Sequence, residues 1–232
     1  MRPREHYVQQ LEGLHTQLRA LGQLVIVSIT RAIDALRQQD VESARKIVAD
    51  DRRIDQAQAA LEEHALSLMA TQQPMAGDLR QLVAAIEIAS ELERIGDYAK
   101  GIAKITIRNA DQPLVKPLID IPQMAELSIN MLGAALDAYV NMDADAARRL
   151  AESDDRVDEL SKRVQAELLD FIQHEPSTAP RAVDLLFAAH HLERIADRTT
   201  NIAERVVFLV TGHMEHMNTV RPAGHGAVGE VH

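Results

Sequence analysis

Apolar residues recur every three or four positions along most of this chain, the spacing of helices that bury one face. Breaker and capping residues divide the pattern into six predicted helices. The first runs from Arg4 to Leu36. Asp40 is placed to cap a second, which continues to Thr71 and ends in the turn Gln72-Gln73-Pro74. A third spans Ala76 to Arg108, followed by a linker carrying Pro113, Pro117 and Pro122. The fourth runs from Pro122 to Val140. Asp143 caps a fifth that reaches His174, Pro176 to Pro180 form a loop, and the sixth ends at Thr211-Gly212.

The two halves repeat. Ala32-Ile33-Asp34-Ala35-Leu36 and Asp40 correspond to Ala135-Leu136-Asp137-Ala138-Tyr139 and Asp143, an offset of 103 that also aligns Ile54-Asp55 with Val157-Asp158. Leu92-Glu93-Arg94-Ile95 returns as Leu192-Glu193-Arg194-Ile195 at an offset of 100, the change falling in a turn, where length is easily altered. The expected fold is all-α: two tandem, duplicated three-helix bundles, over residues 1–112 and 113–212. Residues 213–232 lack the helical period and contain Pro222, Gly224, Gly226 and Gly229, so they are expected to form a flexible, solvated tail. Its histidines, His213, His216, His225 and His232, are weak metal candidates at most.

Composition narrows the chemistry. Aromatic residues make up 3% of the 232, and Gly (10) and Pro (8) are scarce, which suits long helices better than strands. A formal net charge of -10 disfavours nucleic acid and anionic lipid as general partners. The absence of Cys excludes disulfides and thiolate sites. Met1-Arg2-Pro3-Arg4 leads into a polar amphipathic stretch, and the apolar run Leu24–Ile29 is far too short to span a bilayer, so a cytoplasmic location is expected.

Four segments carry two carboxylates at i,i+4: Asp51/Asp55, Glu93/Asp97, Asp154/Asp158 and Glu193/Asp197. That spacing puts both on one helix face, with Cβ atoms about 6 Å apart. A solvated acidic face is the ordinary reading of such pairs, but these acids fall on apolar lines. Asp51 and Asp55 share theirs with Ala44, Ile47, Val48, Ala65, Leu66 and Met69; Glu93 lies below Leu79, Leu82 and Ile86. Register adds a second argument. Asp51 and Asp97 are equidistant from Pro74, as are Asp55 and Glu93, and the second-half pairs centre in the same way beside Pro176. A helical hairpin about each turn therefore sets four carboxylates level in each half. Such a group must share protons, pair with bases or bind cations. Lys100 and Lys104 offer bases to the first half, but the second has Thr200 and Glu204 there, so cations explain both halves more simply. Oxygen donors suit Mg²⁺, Mn²⁺, Ca²⁺ or iron. His190 lies near the Glu193 line; His191 points away from it.

The runs Gln73-Pro74-Met75-Ala76-Gly77-Asp78-Leu79-Arg80, Leu92-Glu93-Arg94-Ile95-Gly96-Asp97, Leu192-Glu193-Arg194-Ile195-Ala196-Asp197 and Asn201-Ile202-Ala203-Glu204 resemble the PhoU family, accessory regulators of bacterial phosphate uptake. The resemblance extends from about Arg4 to Gly212 and includes an E(D)xxxD motif in all four helices. It implies multinuclear metal clusters, of iron or zinc, held by Asp51, Asp55, Glu93, Asp97, Asp154, Asp158, Glu193 and Asp197. It implies contacts with a Pst-type phosphate ABC transporter and a phosphate sensor histidine kinase, repression of the phosphate-starvation response, and a homodimer. One departure is that the second copy reads His174-Glu175-Pro176-Ser177-Thr178-Ala179-Pro180-Arg181 in place of the Gln-Pro turn. The competing class is a carboxylate-bridged metalloenzyme, an oxidase or hydrolase. A di-iron oxidase needs Glu-x-x-His on two helices, and only Glu12-Gly13-Leu14-His15 has that spacing. There is no His-Asp pair and no Gly-rich phosphate loop. The expectation is a regulator that acts by binding, not an enzyme.

Overall fold

A computed structural model describes residues 3–217. The described residues form eight α-helices and no strand: α1 (Pro3–Gln38), α2 (Val41–Asp50), α3 (Arg52–Gln72), α4 (Ala76–Arg108), α5 (Asp120–Asn141), α6 (Ala144–Arg148), α7 (Leu150–His174) and α8 (Ala179–Thr211). Six long rods are recovered, two of them interrupted. The second is broken for one residue at Asp51 and the fifth at Arg149, yet both residues keep right-handed helical angles. Neither break carries a Pro or Gly, which is why the apolar period runs through them.

The caps are where the chain pattern puts them. Asp40 accepts a hydrogen bond from the Ser43 amide at 3.0 Å, and Asp143 accepts one from the Ala146 amide at 2.9 Å. Each cap follows a residue in the left-handed region, Gln39 (φ 54) and Met142 (φ 53), so the turn itself is duplicated. The loop expected at Pro176–Pro180 is shorter than its prolines suggest. Pro176–Thr178 form a 3₁₀ turn, and Pro180 sits in the first turn of α8, where a missing N–H costs nothing.

α1, α2, α3 and α4 make one bundle, and α5, α6, α7 and α8 the other; α4 packs along α8 and α1 along α5. One apolar core runs through both, from Leu14 and Leu18 of α1 to Val206 and Val207 of α8. α4 and α8 run antiparallel, joined by Glu87–Arg205 (3.1 Å), Glu91–Arg198 (3.5 Å) and Arg108–Asp184 (2.8 Å). The ring of His191 lies against Gly101, where a Cβ would come within 2.6 Å of its Nε2. The proline-bearing linker is tied down: Arg181 donates to the Pro113 carbonyl and Lys116 pairs with Glu167.

The tail differs from expectation at its start. Arg148 donates two hydrogen bonds to Glu215, at 2.9 and 2.7 Å, and the Met217 amide donates to Glu204. Met217 packs on the core. These contacts lie on α6 and α8, whose pairing with the tail no local pattern announces. Residues 218–232, with His225 and His232, lie outside the described residues.

Candidate functional site

The eight acids occupy the four helix segments expected, graded in burial rather than uniformly inward. Asp51 (4% exposed) and Asp154 (7%) are buried. Glu93, Asp158, Glu193 and Asp197 are partly buried, while Asp55 and Asp97 face solvent. The helix-wheel argument treats every residue on a line alike. In a three-helix bundle the line leaves the core towards the hairpin's open flank and towards the proline turn, where Leu66 (52%) and Leu79 (41%) are also exposed.

The level register is visible in the electrostatics. Burial raises the Glu93 carboxyl above its ordinary range, and the charges of Asp97, Asp55 and Asp51 add to the rise. The other three acids of the first layer thus act on Glu93, Asp97 from its own helix and Asp55 and Asp51 from the facing side of the hairpin. Burial likewise raises Asp158, with Glu193 and Asp197 adding to it and Lys162 opposing. Burial raises Asp197, which Glu193 reinforces and Arg194 opposes. Acidic groups held this close favour a proton or a cation among them.

Their present partners differ between halves. Lys100 Nζ lies 2.5 Å from Asp51 Oδ2 and 3.0 Å from Asp97 Oδ1. In the second half Ser161 donates to Glu193 at 2.9 Å, His190 Nδ1 stands 3.7 Å from the same Glu193 oxygen, and Arg194 donates to Asp197 at 3.1 Å. His191 faces the other way, its ring 5.7 Å from that of Tyr98. Among the described residues, no three Asp, Glu or His side chains converge into a set that could hold a metal as they stand. The donor chemistry of the second layer suits a hard cation, all oxygen with one adjacent imidazole, and ligation there requires side-chain rotation. The first layer fits less well, because an ammonium group already sits between its acids.

The α4–α8 seam was not legible as a site. Burial pushes the Tyr98 phenol up, but hydrogen bonds from Arg194 and Arg198 outweigh it and leave it below its ordinary value. The seam pairs Glu91 with Arg198, and the repeat converts that pair into His191 with Tyr98 at an offset of 100. A signal existed: these are positions where two otherwise similar copies exchange charge for aromatic character. The lone Glu-x-x-His places His15 edge-on to the Tyr139 ring at 5.3 Å, a packing contact between α1 and α5.

Comparison with known proteins follows the same division. A family model described as the PhoU domain matches twice, at residues 18–106 and 121–206. The chain is 35% identical over 216 residues to the phosphate-specific transport system accessory protein PhoU homolog of Clostridium acetobutylicum, covering 93% of this chain and 99% of that relative. It is 31% identical over 203 residues to the phosphate-specific transport system accessory protein PhoU of Escherichia coli, covering 88% and 84%. The crystal structure of the phosphate transport system regulatory protein PhoU from Streptococcus pneumoniae superposes with a TM-score of 0.84 at 32% identity, over 90% of this chain and 99% of that one. That of PhoU from Pseudomonas aeruginosa gives 0.85 at 31% identity, over 89% and 100%.

Proposed function

Because the chain belongs to the PhoU family, we propose that it serves a phosphate-specific transport system as an accessory regulator, holding the phosphate-starvation response off while phosphate is plentiful. It does so by contacting a Pst-type ABC transporter and the sensor histidine kinase, from the cytoplasmic side and as a homodimer. The observation that carries the reading is full-length similarity across both halves to proteins named for that role. No helix among the described residues is long and apolar enough to cross a membrane, so attachment to a transporter runs through protein contacts.

The acid layers supply the ligand side of this function. Asp154, Asp158, Glu193 and Asp197 hold metal when loaded, iron or zinc by family resemblance, with Mg²⁺, Mn²⁺ and Ca²⁺ also suited to oxygen donors. Metal neutralises acids that burial and mutual repulsion disfavour as free carboxylates. Asp51, Asp55, Glu93 and Asp97 form the corresponding first layer. The enzyme alternative has little to build on: its Glu-x-x-His is used in packing, and the relatives are named as accessory and regulatory proteins.

Deleting the gene and following a phosphate-regulated reporter in high phosphate tests the role. Derepression on deletion, reversed by the wild-type gene, is the expected result. Full repression without the protein overturns the regulator reading.

A further inference from the structure

Lys100 makes the two acid layers unequal. Asp51 stands at the α2–α3 junction and Asp97 on α4, and the Lys100 ammonium touches both, at 2.5 and 3.0 Å. One cation therefore joins the two walls of the first layer. Its side chain is only 26% exposed, and Asp51 beneath it is nearly fully enclosed.

The repeat places Thr200 at this position. Thr200 is buried, and its hydroxyl donates to the Ala196 carbonyl of its own helix at 3.2 Å. The bases that act on Asp158 and Asp197 are placed differently from Lys100. Arg194, Arg198 and His190 act on Asp197 from the same helix, α8, and Lys162 acts on Asp158 from the same helix, α7.

We propose that Lys100 is a built-in cation that takes the place of metal in the first layer, so that metal loading is confined to the second. This rests on the metal reading given above. A divalent ion entering the first layer would meet an ammonium held between its donors. Loading would require Lys100 to leave, giving up two charge-assisted hydrogen bonds, one of them to buried Asp51. At the equivalent place the second layer has Thr200, whose hydroxyl is turned to its own helix, in place of an ammonium group. The two bundles, similar in fold, then have different dependence on metal: the first is neutralised by its own sequence, the second by supply.

The test is metal content per chain by elemental analysis, after separate reconstitution of the purified protein with Fe(II), Zn(II) or Mn(II) and removal of excess. Circular dichroism confirms that each variant is folded. Wild type should bind metal that Asp55→Asn with Glu93→Gln leaves in place and Asp158→Asn with Glu193→Gln removes. Lys100→Thr, which installs the residue of the second copy, should roughly double the content, and the added metal should vanish when Glu93→Gln is combined with it. Lys100→Gln provides a second variant of similar length. Loss of wild-type metal in the first-layer variant overturns the inference while leaving metal binding intact. So does unchanged content in both folded Lys100 variants. Absence of metal from every protein overturns the metal reading and the inference with it.

Discussion

Gly96 and Ala196 hold equivalent places next to the acid pairs of α4 and α8, and their difference is compensated across the hairpin. A Cβ on Gly96 would stand 3.0 Å from Ile54 Cδ1 and 3.2 Å from its Cγ2. The second copy has the methyl, as Ala196, and opposes the longer side chain's position with Val157. Gly96→Ala should therefore be better tolerated when Ile54→Val is also present, with a coupling of roughly 0.5–2 kcal/mol in a denaturant double-mutant cycle. Strict additivity would show that the packing around Ile54 yields freely. At this scale the sequence announced which acids stand level, because equal distance from a turn is a property of numbering. It did not announce how deep each lies. Asp51 and Asp55 share a line, yet one is enclosed and the other open, because depth depends on where a third helix covers the hairpin. Nor could it show Lys100 reaching across to Asp51 rather than out to water.

Helix boundaries were the most legible feature. Asp40 and Asp143 stand where polar acceptors precede a helical period, and both cap as that position requires. Less visible is the strain before each cap. Gln39 and Met142 adopt left-handed angles that side chains with a Cβ disfavour by about 1 kcal/mol or more. Gln39 offsets this by donating to the Gln112 carbonyl at 2.5 Å, so its side chain also secures the linker. Met142 is 40% exposed and makes the cleaner test. Met142→Gly should raise stability by about 0.5–1 kcal/mol in chemical denaturation. Asp143→Ala should lower it by about 1 kcal/mol, through loss of the Ala146 amide's acceptor. A destabilised glycine variant would mean that Met142's apolar contacts outweigh its backbone strain.

The duplicated bundles are joined by contacts that the repeat does not copy. On one side α4 meets α8 through Glu91–Arg198 and Tyr98–His191; on the other α1 meets α5 through His15 and Tyr139. Burial holds His15 below its ordinary pKa, with Glu12 opposing. The unfolded chain therefore takes up a proton at His15 more readily than the folded one does. Its contribution to stability is intact above about pH 6.5, the unfolded value, and is lost as pH falls through the lowered folded value. Thermal melts between pH 7.5 and 5 should show a steeper decline for wild type than for His15→Gln. Parallel curves would indicate that the ring is protonated without penalty. Two bundles, their order and their acid layers could all be read from the chain. The seam was marked only by the exchange of charge for aromatic character at repeat-related positions, because its pairs join residues far apart in sequence.

The second acid layer is proposed above as the cation site of a phosphate regulator. Phosphate-regulated reporter expression in a deletion strain carrying Asp158→Asn with Glu193→Gln at wild-type protein levels puts this role to the test. The wild-type gene should restore repression in high phosphate, and this folded variant should leave the reporter on. Full repression by the variant would contradict it.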